Sequence, residues 1–340
     1  MSLLPFLYRV IDRENLSARD SEQAMDAILR GESSPTQIGA FLVALRMKGI
    51  TDEELLGMAR AMRAKATPVD AGIAGEPLVD VVGTGGDGPS TFNISTTAAF
   101  VVAGAGVKVA KHGNRSISSH CGAADVLEHL GVKLIADPDR MGRAIREIGI
   151  GFLFAPALHP AMKHAQPARL ELKMRTAFNL LGPLTNPAGA TRQLVGAPSA
   201  EEASLMAKAL ASLGIARALV VHGSDGMDEI TTTGPTLALE IRSGAISNFE
   251  LTPDDFGLPV ANLEDLRGGE PAGNAVIVRQ ILDGAKGPKR DIVLANAAAA
   301  LVTARRAENF KAGVALAAES IDSGAARRKT EELAAFTQKG

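Results

Sequence analysis

A glycine-rich turn is the first segment of the chain whose residue types could do chemistry. The run Asp80–Gly88, DVVGTGGDG, follows an apolar strand and contains four glycines in six positions. Because glycine lets the backbone approach a ligand and aim its N–H groups at it, such a run is typical of a phosphate-binding turn. A tight strand-to-helix connection would have a similar composition.

Two further segments carry anion-binding groups. The run Asn93–Thr97, NISTT, opens a predicted helix, where free N–H groups and the positive end of the helix dipole attract anions. Its side chains could also simply cap that helix. The run Lys111–Ser119, KHGNRSISS, ends the next strand, where open α/β sheets bind their ligands. Its cations, amide and hydroxyls predict a clamp on a phosphate ligand, although an isolated loop of this kind would be solvated surface.

The spacing argues against the two common nucleotide-binding motifs. GTGGDG lacks the third glycine of a dinucleotide fingerprint, and no helix follows it at once. No Lys-Ser or Lys-Thr pair closes a Walker loop.

The elements that must position these residues fall into two halves. Residues 1 to about 70 predict consecutive helices, with capping boxes at Ser34–Gln37 and Thr51–Glu54. From Leu78 onward short apolar strands alternate with helices, and the final helices are expected to begin near Gly273, Arg290, Asn309 and Ala325. The strands LALEIR and ISNFEL follow one another without a helix, which predicts a mixed sheet.

Composition narrows the class of partner. The chain has 340 residues with 36 Lys and Arg against 38 Asp and Glu, a net charge of -2, and 4% aromatic residues. This balance argues against general binding to nucleic acid or to an anionic membrane, so we expect a small-molecule partner.

A single cysteine, Cys121, permits no intrachain disulfide and fits a reducing, cytoplasmic setting. We expect neither a signal peptide nor a membrane span.

The motifs in their order resemble the anthranilate phosphoribosyltransferases. GTGGDG, NIST, KHGNR and SS all match that family's pattern, as do FAPALHPAMKHA at 154–165, RTAFNLLGPLTNPA at 175–188 and VVHGSDGMDEITTTGPT at 220–236. The resemblance implies an α/β protein in which a small all-helical N-terminal domain is hinged to a larger α/β domain with a central mixed, largely parallel sheet flanked by helices. We place the helical domain at 1–72, joined by about 167–188, and the α/β domain at 73–166 and 189–340.

The resemblance also implies a site for phosphoribosyl pyrophosphate, anthranilate and magnesium. The phosphoribosyl pyrophosphate is expected at Gly83, Gly86, Asp87, Thr91, Asn93, Ile94, Ser95, Thr96, Lys111, His112, Gly113, Asn114, Arg115, Ser116, Ile117, Ser118, Ser119 and Ala123. Anthranilate is expected at Gly83, Asn114, His159 and Arg169, and two magnesium ions at Ser95, Asp228 and Glu229. Carboxylate oxygens suit magnesium on a diphosphate, whereas an adjacent acidic pair after a strand is usually a solvated turn. No residue is assigned as a general base.

Two positions depart from the family pattern. Ser-Gly-Ser-Ala-Asp is usual where this chain has Cys121-Gly122-Ala123-Ala124-Asp125, so a thiol and a methyl replace two hydroxyls. Direct displacement of pyrophosphate needs no covalent intermediate, so we do not expect Cys121 to be a nucleophile.

The implied reaction is transfer of the phosphoribosyl group to the amine of anthranilate, a step of tryptophan biosynthesis, by a cytoplasmic homodimer. Two alternatives stand beside it: a pyrimidine nucleoside phosphorylase, whose Lys-His-Ser-Thr-Gly-Gly loop is absent here, and a non-catalytic nucleic-acid-binding relative of the same fold, which would require a basic groove.

Overall fold

Four helices form the N-terminal part of the chain. The computed structural model describes residues 2–73, 75–85, 90–116 and 120–339. The N-terminal helices are α1 (Leu4–Ile11), α2 (Ala18–Leu29), α3 (Pro35–Lys48) and α4 (Asp52–Lys65). Both predicted capping boxes are present, with Ser34 and Thr51 each accepting a hydrogen bond from the backbone three residues on. The two helix starts predicted from these boxes are therefore confirmed.

A seven-stranded mixed sheet forms the centre of the molecule. Its strands are β1 (Leu78–Gly83), β2 (Lys108–Gly113), β3 (Ile150–Phe154), β4 (Arg192–Gly196), β5 (Arg217–Gly223), β6 (Thr236–Arg242) and β7 (Ala245–Leu251). They lie in the order β3-β2-β1-β4-β5-β6-β7. The first five pair in parallel, and β6 and β7 are antiparallel to their neighbours. The predicted mixed, largely parallel sheet is confirmed.

Helices cover both faces of this sheet. Those that follow β1 are α5 (Ile94–Gly104), α6 (Ala123–His129), α7 (Pro138–Glu147), α8 (Ala155–Leu158), α9 (Gln166–Leu172), α10 (Phe178–Leu181), α11 (Ala200–Ser212), α12 (Pro271–Leu282), α13 (Pro288–Thr303), α14 (Phe310–Asp322) and α15 (Ala325–Gln338). Shorter 3-10 turns lie at Pro160–His164, Gly182–Leu184, Pro253–Phe256 and Leu263–Leu266. Among the described residues, no helix is long and apolar enough to cross a membrane.

The sheet separates two hydrophobic cores. Val81 of β1 and Val221 of β5 pack with α5 and α13 on one face, and Val82 and Val220 belong to the core of the other face. Successive strand residues point to opposite faces, which explains why neighbours in sequence join different cores.

The second core also contains the N-terminal helices. Phe41 of α3, Leu55 of α4, Phe178 of α10 and Met206 of α11 are buried in it together with Val82 and Val220. The segment that contains α9 and α10 thus packs against the N-terminal helices, although it lies more than a hundred residues further along the chain. The domain boundaries given above stay a prediction.

Candidate active site

A cleft of about 270 Å³ opens at the carboxyl ends of β1 and β2. The start of α5 and the turn after β5 also line it. After β1 the chain adds β2 and β3 on one side of that strand and then returns to add β4 on its other side. The direction of the strand order therefore reverses at β1. Open α/β sheets bind ligands at such a switch point, where loops on the two sides diverge.

Most of the predicted site residues line this cleft. They are Gly83, Thr91, Asn93, Ile94, Ser95, Thr96, Lys111, His112, Gly113, Asn114, Arg115, Ser116, Ala123, Arg169, Asp228 and Glu229. The predicted residues Gly86, Asp87, Ile117, Ser118 and Ser119 lie outside the described residues. The structure thus brings together segments that are more than a hundred residues apart in the chain.

Two glycines make room for Asp228 at the floor of the cleft. A Cβ atom on Gly83 would lie 2.4 Å from the Asp228 carboxylate, and one on Gly196 would lie 1.6 Å from the Asp228 carbonyl oxygen. The carboxylate accepts hydrogen bonds from the Gly85 N–H at 2.7 Å and from the Thr84 hydroxyl at 3.4 Å. Asp228 is therefore buried against the glycine-rich turn and holds the start of that turn in place.

The turn that presents the acidic pair is held from both sides. Asp225 accepts hydrogen bonds from the hydroxyls of Thr231 and Thr233. On the other side, the buried Asn296 of α13 accepts a hydrogen bond from the Ile230 N–H at 3.0 Å and donates one to the Ile230 carbonyl at 2.9 Å. A merely solvated turn would not need such support. Neither Asp225 nor Asn296 was identified from the sequence.

A buried lysine lies beside the acidic pair. The Lys111 ammonium donates to the Val81 carbonyl at 2.7 Å and to the Ser95 hydroxyl at 3.4 Å. The Ser95 N–H in turn donates to Glu229 at 3.1 Å. Burial lowers the pKa of Lys111, and the nearby carboxylates, Asp80 foremost, oppose that shift. Charges of both signs are thus concentrated in one buried part of the cleft.

Helix α5 begins at the cleft with its first N–H groups beside it. Asn93 is the N-cap residue, yet its side chain makes no capping hydrogen bond. The simple capping role considered for this residue is therefore absent in the structure. Its amide instead contacts Cys121, whose thiol donates to the Asn93 amide oxygen at 3.2 Å. Burial raises the pKa of that thiol to about 11, which keeps it protonated and weakly nucleophilic.

The basic loop is anchored to α6. The Arg115 guanidinium makes two hydrogen bonds to Glu128, at 2.6 and 2.9 Å, and one to Asp125 at 3.0 Å. These contacts, Glu128 foremost, raise the pKa of Arg115. Asp125 also accepts from the backbone N–H groups of Ser116 and Gly122. The described end of this loop is therefore tied to the start of α6.

An arginine of α9, Arg169, also lines the cleft. The Arg169 guanidinium carbon lies 5.1 Å from the centre of the Phe178 ring, within the range of a cation–π contact. Burial lowers the pKa of Arg169. Among the described residues, Arg169 forms no ion pair. A cation on an aromatic ring without an anionic partner is suited to a carboxylate ligand.

His159 lies behind the cleft wall rather than in it. Its Nε2 atom is 3.3 Å from Nε2 of His112, which lines the cleft and whose Nδ1 is 3.1 Å from the Gly182 carbonyl. Burial lowers the pKa of His112 to about 3 and that of His159 to about 4, so both rings are neutral at pH 7. The predicted acceptor residue His159 therefore reaches the cleft only through His112.

Several further residues line the cleft that sequence reasoning did not assign to it. Among them are Phe92, Ala155, Phe178, Asn179, Gly182, Pro183 and Gly269. Phe178 to Pro183 lie within the motif RTAFNLLGPLTNPA, which matches the family pattern as a whole but does not by itself assign a role to each residue. No local signal marks Gly269, because its place in the wall depends on the packing of α12.

Comparison with known proteins identifies the family. Residues 4–66 match the helical bundle domain, and residues 75–327 the a/b domain, of the glycosyl transferase family. The chain is 61% identical over 336 residues to the anthranilate phosphoribosyltransferase of Solibacter usitatus, covering 99% of each chain. It is 53% identical to that of Moorella thermoacetica, covering 97% of each. The chain belongs to the anthranilate phosphoribosyltransferase family.

Solved structures of this family agree with the fold described above. The crystal structure of anthranilate phosphoribosyltransferase from Thermus thermophilus is 46% identical, with a TM-score of 0.91 and coverage of 98% of this chain and 99% of that one. The Saccharomyces cerevisiae enzyme in complex with phosphoribosyl pyrophosphate and magnesium is 30% identical, with a TM-score of 0.89 and coverage of 99% and 98%. The expected helical domain and larger α/β domain are thereby confirmed.

Proposed function

We propose that this chain transfers the phosphoribosyl group of 5-phosphoribosyl 1-pyrophosphate to the amine of anthranilate, in tryptophan biosynthesis. The observation that carries this proposal is the convergence of the family's motifs on one cleft, which is also lined by an arginine that forms no ion pair with a described residue. The products are N-(5-phosphoribosyl)anthranilate and pyrophosphate.

The donor side is assigned to the segments rich in N–H groups. Gly83, the start of α5 from Asn93 to Thr96, and the loop Lys111–Ser116 would hold the phosphate and ribose groups. Backbone N–H groups at a glycine turn and at a helix start can bind anions. Those of Gly85 and Ser95 already donate to Asp228 and Glu229, so the contacts to the donor are assigned to the other polar groups of these segments. The predicted donor contacts at 86–87 and 117–119 belong to the same proposal.

Asp228, Glu229 and Ser95 fit a magnesium site by the chemistry of their oxygens. Both carboxylates are buried, and the Ser95 hydroxyl belongs to the same cleft. Among the described residues, no three His, Cys, Asp or Glu side chains form a group that could hold a metal. Magnesium is commonly bound by one or two carboxylates plus substrate phosphates, which matches this partial set. Two bound ions, as in the family expectation, would neutralise charge on the diphosphate.

The acceptor side is assigned to Arg169, Asn114 and the apolar wall formed by Phe178 and Pro183. Arg169 would pair with the carboxylate of anthranilate, and the apolar wall would contact its ring. The amine nitrogen then forms a bond to the anomeric carbon as the bond to the pyrophosphate oxygen breaks, with inversion, and the amine loses a proton. Because an aromatic amine is already nucleophilic, the residues here mainly position the two substrates.

A direct assay tests this proposal. The purified protein is mixed with magnesium, phosphoribosyl pyrophosphate and anthranilate, and the loss of anthranilate fluorescence is followed. We expect loss that requires all three additions. Phosphorolysis of a pyrimidine nucleoside is assayed in parallel. Phosphorolysis without any loss of anthranilate fluorescence would refute the proposal and favour the phosphorylase alternative.

We also propose that the chain is a homodimer. Large exposed apolar side chains lie on three neighbouring helices: Tyr8 and Ile11 on α1, Met47 near the end of α3, and Leu170 on α9. Large apolar side chains exposed on neighbouring helices are typical of an interface. In light scattering we expect Met47→Glu to shift the protein toward monomer. Val260→Glu, equally exposed but remote in the chain, should leave the dimer intact, and a monomeric wild-type protein would contradict the proposal.

Cytoplasmic localisation is part of the same proposal. It is supported by the single cysteine, which leaves no cysteine partner for a disulfide. Cell fractionation would test it.

A further inference from the structure

A directional chain of hydrogen bonds crosses one wall of the cleft. The Gly269 N–H donates to the Asn274 amide oxygen at 2.8 Å. The Asn274 amide nitrogen donates to the Asn93 amide oxygen at 3.0 Å, and the Asn93 amide nitrogen donates to the Cys121 carbonyl at 3.2 Å. A backbone N–H can only donate and a carbonyl can only accept, so the two ends fix the orientation of both amides.

Asn274 is the member of this chain that lies behind the cleft. Gly269, Asn93 and Cys121 line the cleft, whereas Asn274, on α12, is 1% exposed and does not. A buried amide of this kind would cost stability without its partners. Its partners here are groups on the cleft wall, from two segments 176 residues apart (269 minus 93).

The backbone around these residues is tied together as well. The Gly268 N–H donates to the Ser90 carbonyl at 3.1 Å, and Thr91 pairs with Arg267 in an antiparallel bridge. A Cβ atom on Gly268 would lie 2.6 Å from the Phe92 backbone, so only glycine permits this approach. The loop before α12 therefore runs directly against the residues that lead into α5.

Asn93 depends on these outside partners for its orientation. Its side chain makes no capping bond within α5, and its amide oxygen accepts from Asn274 and from the Cys121 thiol. Of its two amide hydrogens, one goes to the Cys121 carbonyl, and no described residue is seen to accept the other. That second hydrogen remains for a ligand in the cleft.

We propose that Asn274 is a positioning residue for binding of phosphoribosyl pyrophosphate, acting through the amide of Asn93. This inference rests on the proposed function, because it takes Asn93 as a contact of that substrate. Asn274 orients the amide so that a hydrogen-bond donor faces the substrate and the acceptor oxygen is kept away from it.

Three variants separate this role from a general effect on folding or charge. Asn274→Leu removes both hydrogen bonds without adding charge. Asn274→Asp keeps an acceptor for the Gly269 N–H but places an oxygen against the Asn93 amide oxygen. If neither of these two variants folds, Asn274→Ser, which is smaller and neutral, is tested for weaker binding of phosphoribosyl pyrophosphate in the same way. Ser320→Ala is the matched control, because its buried hydroxyl donates to the Val101 carbonyl near the far end of α5.

The measurement is binding of phosphoribosyl pyrophosphate by titration calorimetry, together with KM for each substrate and kcat. We expect the folded Asn274→Leu, Asn274→Asp and Asn274→Ser variants to raise Kd and KM for phosphoribosyl pyrophosphate about tenfold, with kcat and the KM for anthranilate changed less than about threefold. Ser320→Ala should leave both constants near wild type even where it lowers the melting temperature.

Two results would overturn the inference. A folded Asn274→Leu or Asn274→Ser protein with wild-type affinity would show that Asn274 serves only packing. Weaker binding in Asn274→Asp alone would point to repulsion of the phosphates by the added charge. Absence of transfer by the wild-type protein would instead refute the proposed function, so the two failures are distinguishable.

Discussion

Charged side chains in the cleft differ in how their burial is compensated. Lys111, Asp228 and Glu229 lie close together, and each has a hydrogen-bond partner in the chain. Arg169 rests on an aromatic ring and forms no ion pair with a described residue. Arg169 is only partly buried, but a partly desolvated charge is still costly without an opposite charge, so a ligand carboxylate would supply what the described residues do not.

Replacing Arg169 tests that assignment. We expect Arg169→Ala to raise the KM for anthranilate by one to two orders of magnitude, because a lost charge-assisted hydrogen bond costs roughly 1.5 to 3 kcal/mol. Binding of phosphoribosyl pyrophosphate, measured by calorimetry, should hardly change. Arg217→Ala serves as control, since this partly buried arginine begins β5 at the opposite end from the cleft. Equal weakening of both substrates would contradict the assignment.

The acidic pair is tested by removing its charge at constant shape. We expect Asp228→Asn combined with Glu229→Gln to abolish most turnover, because magnesium needs charged oxygen ligands. The melting curve should still show a folded protein. The control is Glu331→Gln with Glu332→Gln, an adjacent acidic pair on the surface of α15. Near-normal turnover of the first variant at saturating magnesium would return Asp228 and Glu229 to a structural role.

At the scale of elements, strand ends without side chains shape the cleft. Gly83 and Gly196 end two adjacent parallel strands, and together they admit the Asp228 backbone and carboxylate. Glycine at these positions reflects close approach rather than a special backbone conformation. Glycine at these strand ends therefore makes room for the acidic pair, in addition to the part that glycines play in the glycine-rich turn.

A single methyl group at Gly196 should displace the acidic turn. We expect Gly196→Ala to lower the free energy of unfolding by roughly 1 to 3 kcal/mol, the usual cost of overpacking, and to reduce turnover strongly. Thermal denaturation and the fluorescence assay would measure the two effects. Gly39→Ala is the control, because a Cβ atom there meets nothing within 4 Å. A stable and active Gly196→Ala enzyme would show that the turn adapts.

Local sequence signals located most of the elements. Both capping boxes and the helix predicted to open within Asn93–Thr97 are where the sequence predicted them. Helices α12 and α13 begin at Pro271 and Pro288, two residues before the starts expected near Gly273 and Arg290. The reason is that proline is well tolerated in the first turn of a helix, where its missing N–H is not needed.

The contacts that support the cleft could not be predicted from local sequence signals. Asn296 lies 66 residues from Ile230, and Asn274 lies 181 residues from Asn93. A buried asparagine in a helix has no periodicity or motif that reveals its partner, because the partner is set by tertiary packing. The motifs show which segments meet a ligand, whereas the residues that hold those segments appear only in the fold.

At the scale of the whole molecule, buried titratable groups couple stability to pH. Burial lowers the pKa of His112 to about 3 and of His159 to about 4, and it raises the pKa of Asp80 to about 6. The histidines are neutral in the folded protein and take up protons on unfolding between about pH 4 and pH 6.5, so their stabilisation is lost as pH falls. Asp80 acts in the opposite direction between about pH 3.8 and pH 6, because its folded form holds the proton more tightly.

On acidification, the stability lost through the two histidines should exceed the stability gained through Asp80. Between pH 7 and pH 5 each histidine loses about 2 kcal/mol of stabilisation, whereas protonation of Asp80 returns only about 1 kcal/mol. We therefore expect the free energy of unfolding, measured by urea titration, to fall from pH 7 to pH 5. That fall should be smaller in His159→Asn, and unchanged in His120→Asn, whose side chain is exposed. If His159→Asn loses as much stability on acidification as the wild-type protein, the neutral histidine pair does not set the acid sensitivity of the fold.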